Sequence, residues 1–376
     1  MAKIRKYYRG KRKRKNYAVI PIVAVMLIIV VVIVLFYGMQ KYAVITKEDV
    51  TVELPYMKAD NTVIDEFGHE VKVFDKVDTT ITFKQRDYSS VMPVAGKNAG
   101  ELRAIFVSAE EATKEKILEY DARLSSGNAL VIEMKPREGN LKWYSGSALA
   151  QSYGVSSESQ QTTDIREAVA QVKENGHYIV AQISCCIDNM LPSRSTTVAL
   201  TSMFGTYYTN DLGVWMDPYN MSVRNYIVEL AEELYDMGFD EVVLADLRHP
   251  ELDKEKEEWV FYNRDMSTEQ DPVDAICGFA VYVADKLSDR KGLLSAYVDS
   301  VKSLVKADEA TGQNAVLFFK IFDRVYYRTD KYTYTFNYQD IESSVTIGNP
   351  HDRFIPVVEN YLPENTSWVY IDTESE

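Results

Sequence analysis

The chain is poor in the residue types from which disulfide scaffolds, metal sites and thiol chemistry are built. Three cysteines (Cys185, Cys186 and Cys277) and four histidines (His69, His177, His249 and His351) are spread over 376 residues. Adjacent cysteines rarely bridge one another because of disulfide geometry, so the fold is not stapled and must draw its stability from its core. The histidines show no H-x-x-x-H or H-E-x-x-H spacing and no Cys/His cluster, which argues against a zinc hydrolase. G-x-G-x-x-G, P-loop and G-x-S-x-G motifs are missing, which removes the nucleotide-binding and serine-hydrolase readings that rest on them. Neither a metal nor a cofactor is expected. Internal repeats and low-complexity tracts are lacking as well.

Positive charge is scarce outside one segment. Residues 1–16 carry nine Lys/Arg and no acid, so the net charge of -14 leaves -23 on the remainder. That surplus argues against nucleic acid as partner of the folded part. Directly after the basic arm, residues 17–39 (YAVIPIVAVMLIIVVVIVLFYGM) hold no charged side chain. At about 1.5 Å per residue such a helix spans a hydrocarbon core of roughly 30 Å. Basic arms tend to stay inside, and Tyr17 and Tyr37 fall at the two interfaces, so the sequence predicts a cytoplasmic arm, a transmembrane anchor and an extracellular remainder. A cleaved signal peptide is the alternative for the span, although no A-x-A-like site follows it. A nucleic-acid-binding arm is the alternative for residues 1–16.

Residues 40–100 are polar and mixed, with alternating pieces at Val71–Val77 and Thr79–Phe83, and read as a short stalk with some β structure. From Glu101 apolar runs alternate with helical stretches. Arg103–Ser108 precedes a helix at Lys114–Leu124, Ala129–Lys135 precedes a long loop and a helix at Asp164–Asn175, and Tyr178–Ser184 leads to Gly213–Pro250. In that last stretch Val223, Tyr226, Ile227, Leu230, Leu234 and Met237 mark an amphipathic helix, stopped by Gly238, and Phe239–Leu247 reads as a strand buried on both faces. A helix at Pro272–Leu287 follows. Leu293–Val298 suits a strand or the start of another helix, and Val316–Tyr327, Phe354–Val358 and Trp368–Asp372 complete the candidates. About eight strands over residues 101–376 suit a (β/α)8 TIM-like barrel of α/β class, for which about 250 residues is typical, with an open doubly wound sheet as the alternative.

The order RAIFVS, ALVIEMKPREGNLKW, YIVAQIS, GVWMDPYN and GFDEVVLADLRHP resembles the putative glycoside hydrolase family of bacterial envelope proteins, whose barrels are related to the α-amylase type. Glu133, Lys135 and Gly139 match its second strand. Trp215, Asp217 and Pro218 match its W-x-D-P segment, and Gly238, Phe239, Asp240, Glu241, Arg248 and Pro250 match its fourth strand. Two departures stand out. Ala245 occupies the position of the family's Asp, with Asp246 one residue later, which on a strand turns the side chain to the opposite face. Gln182 stands where an Arg is common.

The resemblance implies carboxylate acid/base chemistry, with two carboxyl groups across a glycosidic bond. Glu133 and Asp246 are the catalytic candidates. Asp188, Asp323, Glu359 and Asp372 also fall at predicted strand ends. Lys135, Trp215, Asp217 and Arg248 are the substrate-binding candidates. Each has a plainer reading: Glu133 with Lys135 and Asp246 with Arg248 as structural pairs along one strand face, and Asp217 as the N-cap of the helix after Pro218. Trp215 offers a ring for stacking a sugar, as do Trp143, Tyr144, Tyr207, Tyr208 and the alternating aromatics at 332–338. Two functions follow as expectations. One is a membrane-anchored extracellular hydrolase of a cell-surface or wall polysaccharide. The other is an inactive barrel that binds glycan or scaffolds the envelope, with envelope proteins as possible partners.

Overall fold

Runs of Val, Ile, Leu and Ala without polar interruption bury both faces of a strand, and the barrel is built from them. The computed structural model describes residues 99–328 except 203, 253–259, 262–270 and 300–306, together with Ile28, Lys97, residues 350–359, Leu362, residues 367–372 and short strands between residues 43 and 72. The chain divides into residues 1–82 and 83–376. In the first unit Ala43–Ile45 pairs antiparallel with Val50–Val52, and Thr62–Ile64 with Glu70–Lys72. The predicted span 17–39, apart from Ile28, lies outside the described residues, as do the predicted strand at Thr79–Phe83 and the aromatics at 332–338. Among the described residues no helix is long and apolar enough to cross a membrane.

The second unit is a closed barrel of eight parallel strands: β1 Arg103–Val107, β2 Ala129–Lys135, β3 Tyr178–Ser184, β4 Glu241–Ala245, β5 Leu293–Val298, β6 Arg324–Arg328, β7 Phe354–Glu359 and β8 Trp368–Ile371. Each strand pairs with the next, and β8 closes on β1 with Trp368 opposite Arg103. Leu293–Val298 is therefore a strand. The run 316–327 divides into a helix and β6, and the open-sheet alternative is excluded by closure. The helices are α1 Lys114–Arg123, α2 Ala148–Tyr153, α3 Ser159–Glu174, α4 Leu191–Arg194, α5 Met221–Met237, α6 Pro272–Lys286, α7 Ala315–Ile321 and α8 Pro350–Arg353.

Strand parity sorts the side chains into two cores. Ala104, Val131, Val180, Val243, Tyr326, Ile355 and Val369 fill the barrel, while the other faces of the strands pack against the helices. On α5 the apolar stripe predicted from spacing is buried as expected, including Val223, Tyr226, Leu230 and Leu234. Its acids are not simply a solvated face. Glu233 accepts from the Trp143 indole at 2.7 Å and from Gly146 N at 2.7 Å, and Glu229 accepts from the Ser147 hydroxyl at 2.6 Å. These bonds hold the loop after β2 against α5. Asn220, not Asp217, caps α5, its side chain accepting from Ser222 N. Gly238 ends the helix at φ 105°, a left-handed conformation that glycine adopts without steric cost.

The amino-terminal floor of the barrel holds a buried polar group. Glu241 accepts from Ser295 at 2.6 Å, Tyr326 at 2.8 Å and Tyr178 at 3.2 Å, and it forms an ion pair with Arg324. Arg324 in turn donates to Gly100 O at 2.7 Å, tying the segment before β1 to the floor. Burial of both charges is tolerable because every partner is also hydrogen-bonded.

Candidate active site at the carboxyl end of the barrel

Barrel strands present chemistry where they end, and three carboxylates meet there. Glu133 on β2, Asp246 after β4 and Asp299 after β5 line one cleft of about 290 Å³, together with Arg137, Gln182 and Tyr297. Beyond β3 and β4, the short strands Thr201–Ser202 and Val260–Phe261 pair antiparallel and join the two connections there.

Asp246 reaches the cleft by an unexpected route. Parity from Val243 and Ala245, which both face the barrel interior, would turn Asp246 away. The strand instead ends at Ala245, and Asp246 adopts φ 51°, the one positive φ outside glycine among the described residues. A left-handed residue costs energy in a non-glycine and is found where surrounding contacts impose it. Here the contacts are a guanidinium and a hydroxyl. Arg137 holds the carboxylate by Nε at 3.1 and 3.0 Å and by Nη2 at 2.5 Å, and Ser184 Oγ donates to Oδ2 at 2.7 Å. The expected pairing of Asp246 with Arg248 is thereby corrected. Arg248 is buried beside the strand end, donates to Glu251 at 2.8 Å and lies 3.9 Å from Asp299.

Glu133 does not pair with Lys135. The β2–β3 register shifts between them, Glu133 standing opposite Gln182 and Lys135 opposite Ile183. A bulge inserts one residue and reverses parity beyond it. Glu133, in step with Ala129 and Val131, faces the cleft by ordinary alternation, while Lys135, beyond the bulge, turns outward, fully buried, to Asp188 at 2.9 Å and Ser184 O at 2.8 Å. Its expected place among substrate-binding residues is corrected to a structural one. Asp188 also accepts from Met190 N and Leu191 N, and its Oδ1 would lie 2.1 Å from a Cβ at Gly139, where φ is 92°. Trp215 likewise is no platform: it is fully buried and donates from its indole to Asn210 at 2.8 Å. Asp217 is buried in the turn before α5, accepting from Tyr219 N at 2.9 Å.

The electrostatics separate the three carboxylates. Burial raises Glu133 above the ordinary glutamate value, aided by the charges of Glu138 and Asp246 and opposed by the Ala109 N–H it accepts at 3.2 Å. Asp299 is pushed up to about 6, first by burial and then by the charge of Asp246. Its side chain is 21% exposed. Gln313 fixes it, donating to Oδ2 at 3.0 Å and accepting from Asp299 N at 2.8 Å. One carboxylate clamped by a cation beside a second whose hold on its proton is strengthened is the division of labour a glycosidase needs. Among the described residues no group of three or more His, Cys, Asp and Glu is disposed to hold a metal ion.

Asp299 and Arg137 were not among the sequence candidates. Asp299 directly follows an apolar run of ambiguous class, and Arg137 lies two residues beyond the end of a strand, so the signal for both was position at a strand end. Of the other strand-end carboxylates, Asp323 lies at the opposite end of the barrel, bonded to Leu294 N and Lys97 N. Glu359 and Asp372 form ion pairs with Arg328 and Arg123.

The family model described as "putative glycosyl hydrolase domain" matches residues 104–366. Among solved structures, a hypothetical protein from Ruminiclostridium thermocellum is similar at 21% identity, over 51% of this chain and 96% of its own, with a TM-score of 0.43. The glycoside hydrolase domain of PgaB from Bordetella bronchiseptica is similar at 12% identity, over 72% and 94%, with a TM-score of 0.49. The glycoside hydrolase domain of PelA from Pseudomonas aeruginosa is similar at 11% identity, over 70% and 86%, with a TM-score of 0.39. No curated protein matches.

Proposed function

Because this chain belongs to the family described as putative glycosyl hydrolase domain, we propose that it hydrolyses a cell-surface or wall polysaccharide from an extracellular position, anchored in the membrane by residues 17–39. The observation that carries the chemistry is the convergence of Glu133, Asp246 and Asp299 on one cleft. Asp299 gives its proton to the glycosidic oxygen as the bond breaks. Asp246, held by the Arg137 guanidinium, faces the positive charge that develops at the anomeric carbon, either bonding to it or stabilising it while water attacks. Glu133, with its raised affinity for a proton, is the second candidate for the acid.

The assignment is tested with Asp246→Asn and Asp299→Asn on isolated wall and capsular polysaccharide. Each is expected to lower turnover at least 100-fold, the order expected on losing acid/base catalysis, while glycan binding remains. Unchanged turnover in Asp246→Asn would remove that residue from the mechanism. The topology is tested separately by protease treatment of intact cells, which is expected to cleave the barrel and spare the amino-terminal arm.

A second reading has one observation in its favour. Both oxygens of Asp246 are already taken by Arg137, and Ser184 adds a third bond, leaving little freedom for attack. On this reading the barrel binds glycan without cleaving it, and the same polysaccharides are retained but never shortened.

A further inference from the structure

Four buried side-chain atoms lack a hydrogen-bond partner among the described residues: Gln182 Oε1, Asp188 Oδ2, Tyr226 Oη and Arg248 Nε. Asp188 Oδ2 has the Lys135 ammonium 2.9 Å away, and Tyr226 packs between helix and sheet. Arg248 does not line the cleft, whereas Gln182 does. Gln182 is 9% exposed and fixed in the wall of the barrel, opposite Glu133 on β2 and Val243 on β4. Inward parity aims it where Glu133 points. Buried amide oxygens in native proteins are nearly always bonded, and one left open toward a cavity calls for an occupant of that cavity.

The neighbouring groups state what the occupant must bring. Glu133 accepts from Ala109 N through one oxygen, Asp299 accepts from Gln313 through one oxygen, and the Arg137 guanidinium is spent on Asp246. The cleft around Gln182 is thus richer in acceptors than in donors. It complements a ligand edge that carries several O–H or N–H groups, as a sugar ring does. We propose that Gln182 is a specificity-determining residue of this cleft, its carboxamide oxygen accepting a hydrogen bond from a donor on the sugar ring seated beside Glu133. The inference rests on the glycan reading of the cleft and adds to it the group that selects the ring. A site built to accept from a particular donor discriminates strongly against rings that lack it, because its own buried oxygen is then left unpaired.

The test measures affinity in the full chain carrying Asp246→Asn, so that nothing is consumed, by calorimetry with three soluble oligosaccharide series. Cello-oligosaccharides offer hydroxyls alone, chito-oligosaccharides add acetamido groups, and chitosan oligosaccharides add amines. Gln182→Leu is expected to weaken the best-bound series about tenfold or more, while Gln182→Glu, which keeps an acceptor, retains it and tightens the amine series. Equal affinity of Gln182→Leu and its parent overturns the proposal and leaves the glycan reading standing. Failure of the parent to bind any series overturns the glycan reading and this inference with it. Unfolding midpoints are measured alongside. Should Gln182→Leu not fold, Gln182→Glu decides alone: tightened binding of the amine series supports the role, and affinities unchanged or lost across the three series overturn it.

Discussion

At the scale of the residue, the site depends on charge placed next to burial. Asp299 is raised to about 6 by burial and by Asp246, so it holds its proton below that pH and loses it above. A general acid with this property makes turnover fall as pH rises through about 6, because only the protonated form can donate. A pH–rate profile of the wild type is expected to bend downward there, with Asp299→Asn removing the bend along with most of the rate. A profile that stays flat from pH 5 to 8 would take the acid's role away from Asp299. Trp215 makes a contrasting case. Its side chain has no exposure and its indole N–H is bonded, so Trp215→Ala is expected to cost about 3–5 kcal/mol of stability, the range for large buried aromatics. Glycan affinity of the folded fraction should not change. Denaturant unfolding and calorimetry on the same variant separate the two roles, and intact stability with lost affinity would restore the stacking role.

At the scale of the element, the sequence was legible wherever a period continued and illegible where it broke. The apolar runs of β1–β4 and the stripe of α5 declared themselves, since a barrel strand is apolar on both faces and a covering helix on one. Two local breaks hid the site. The bulge at Met134 turns Lys135 away from the face that Glu133 shares with Val131, and the left-handed turn at Asp246 brings into the cleft a side chain that parity directs away. Neither is written in residue type: an ordinary alternation was the correct expectation from the letters alone. Trp215 was misplaced for a related reason, because a long loop that packs its rings into the main core looks, in sequence, like a loop that exposes them. Gly139 was matched in sequence, and the structure gives it a physical reason. Gly139→Ala must hold φ near 92° and push Asp188 aside, and is expected to cost about 1–3 kcal/mol for the backbone strain alone. Displacing Asp188 also frees Lys135. A lowered melting temperature is the expected measurement, and a variant as stable as wild type would show that Asp188 has room to move.

At the scale of the whole molecule, closure is what holds the site in register. The three carboxylates come from β2, β4 and β5, and their spacing is fixed only if the sheet is a ring. The ring is completed by β8, the last described segment, through Trp368–Arg103 to Ile371–Phe106. Truncation after Glu359 removes β8 and leaves β1 and β7 as open edges, which are prone to pairing with other chains. Loss of cooperative unfolding and appearance of aggregates in size-exclusion chromatography are the expected results. A monomeric, cooperatively folded truncation would show that seven strands suffice.

The segment before β1 also makes the barrel a body with two poles. Lys97 donates to Asp323 and to Gly292 O, and Gly100 receives Arg324, all at the floor, while the carboxylates lie at the far rim. Lys97 and Gly100 therefore engage the end of the barrel opposite Glu133, Asp246 and Asp299, and the cleft is left clear of them.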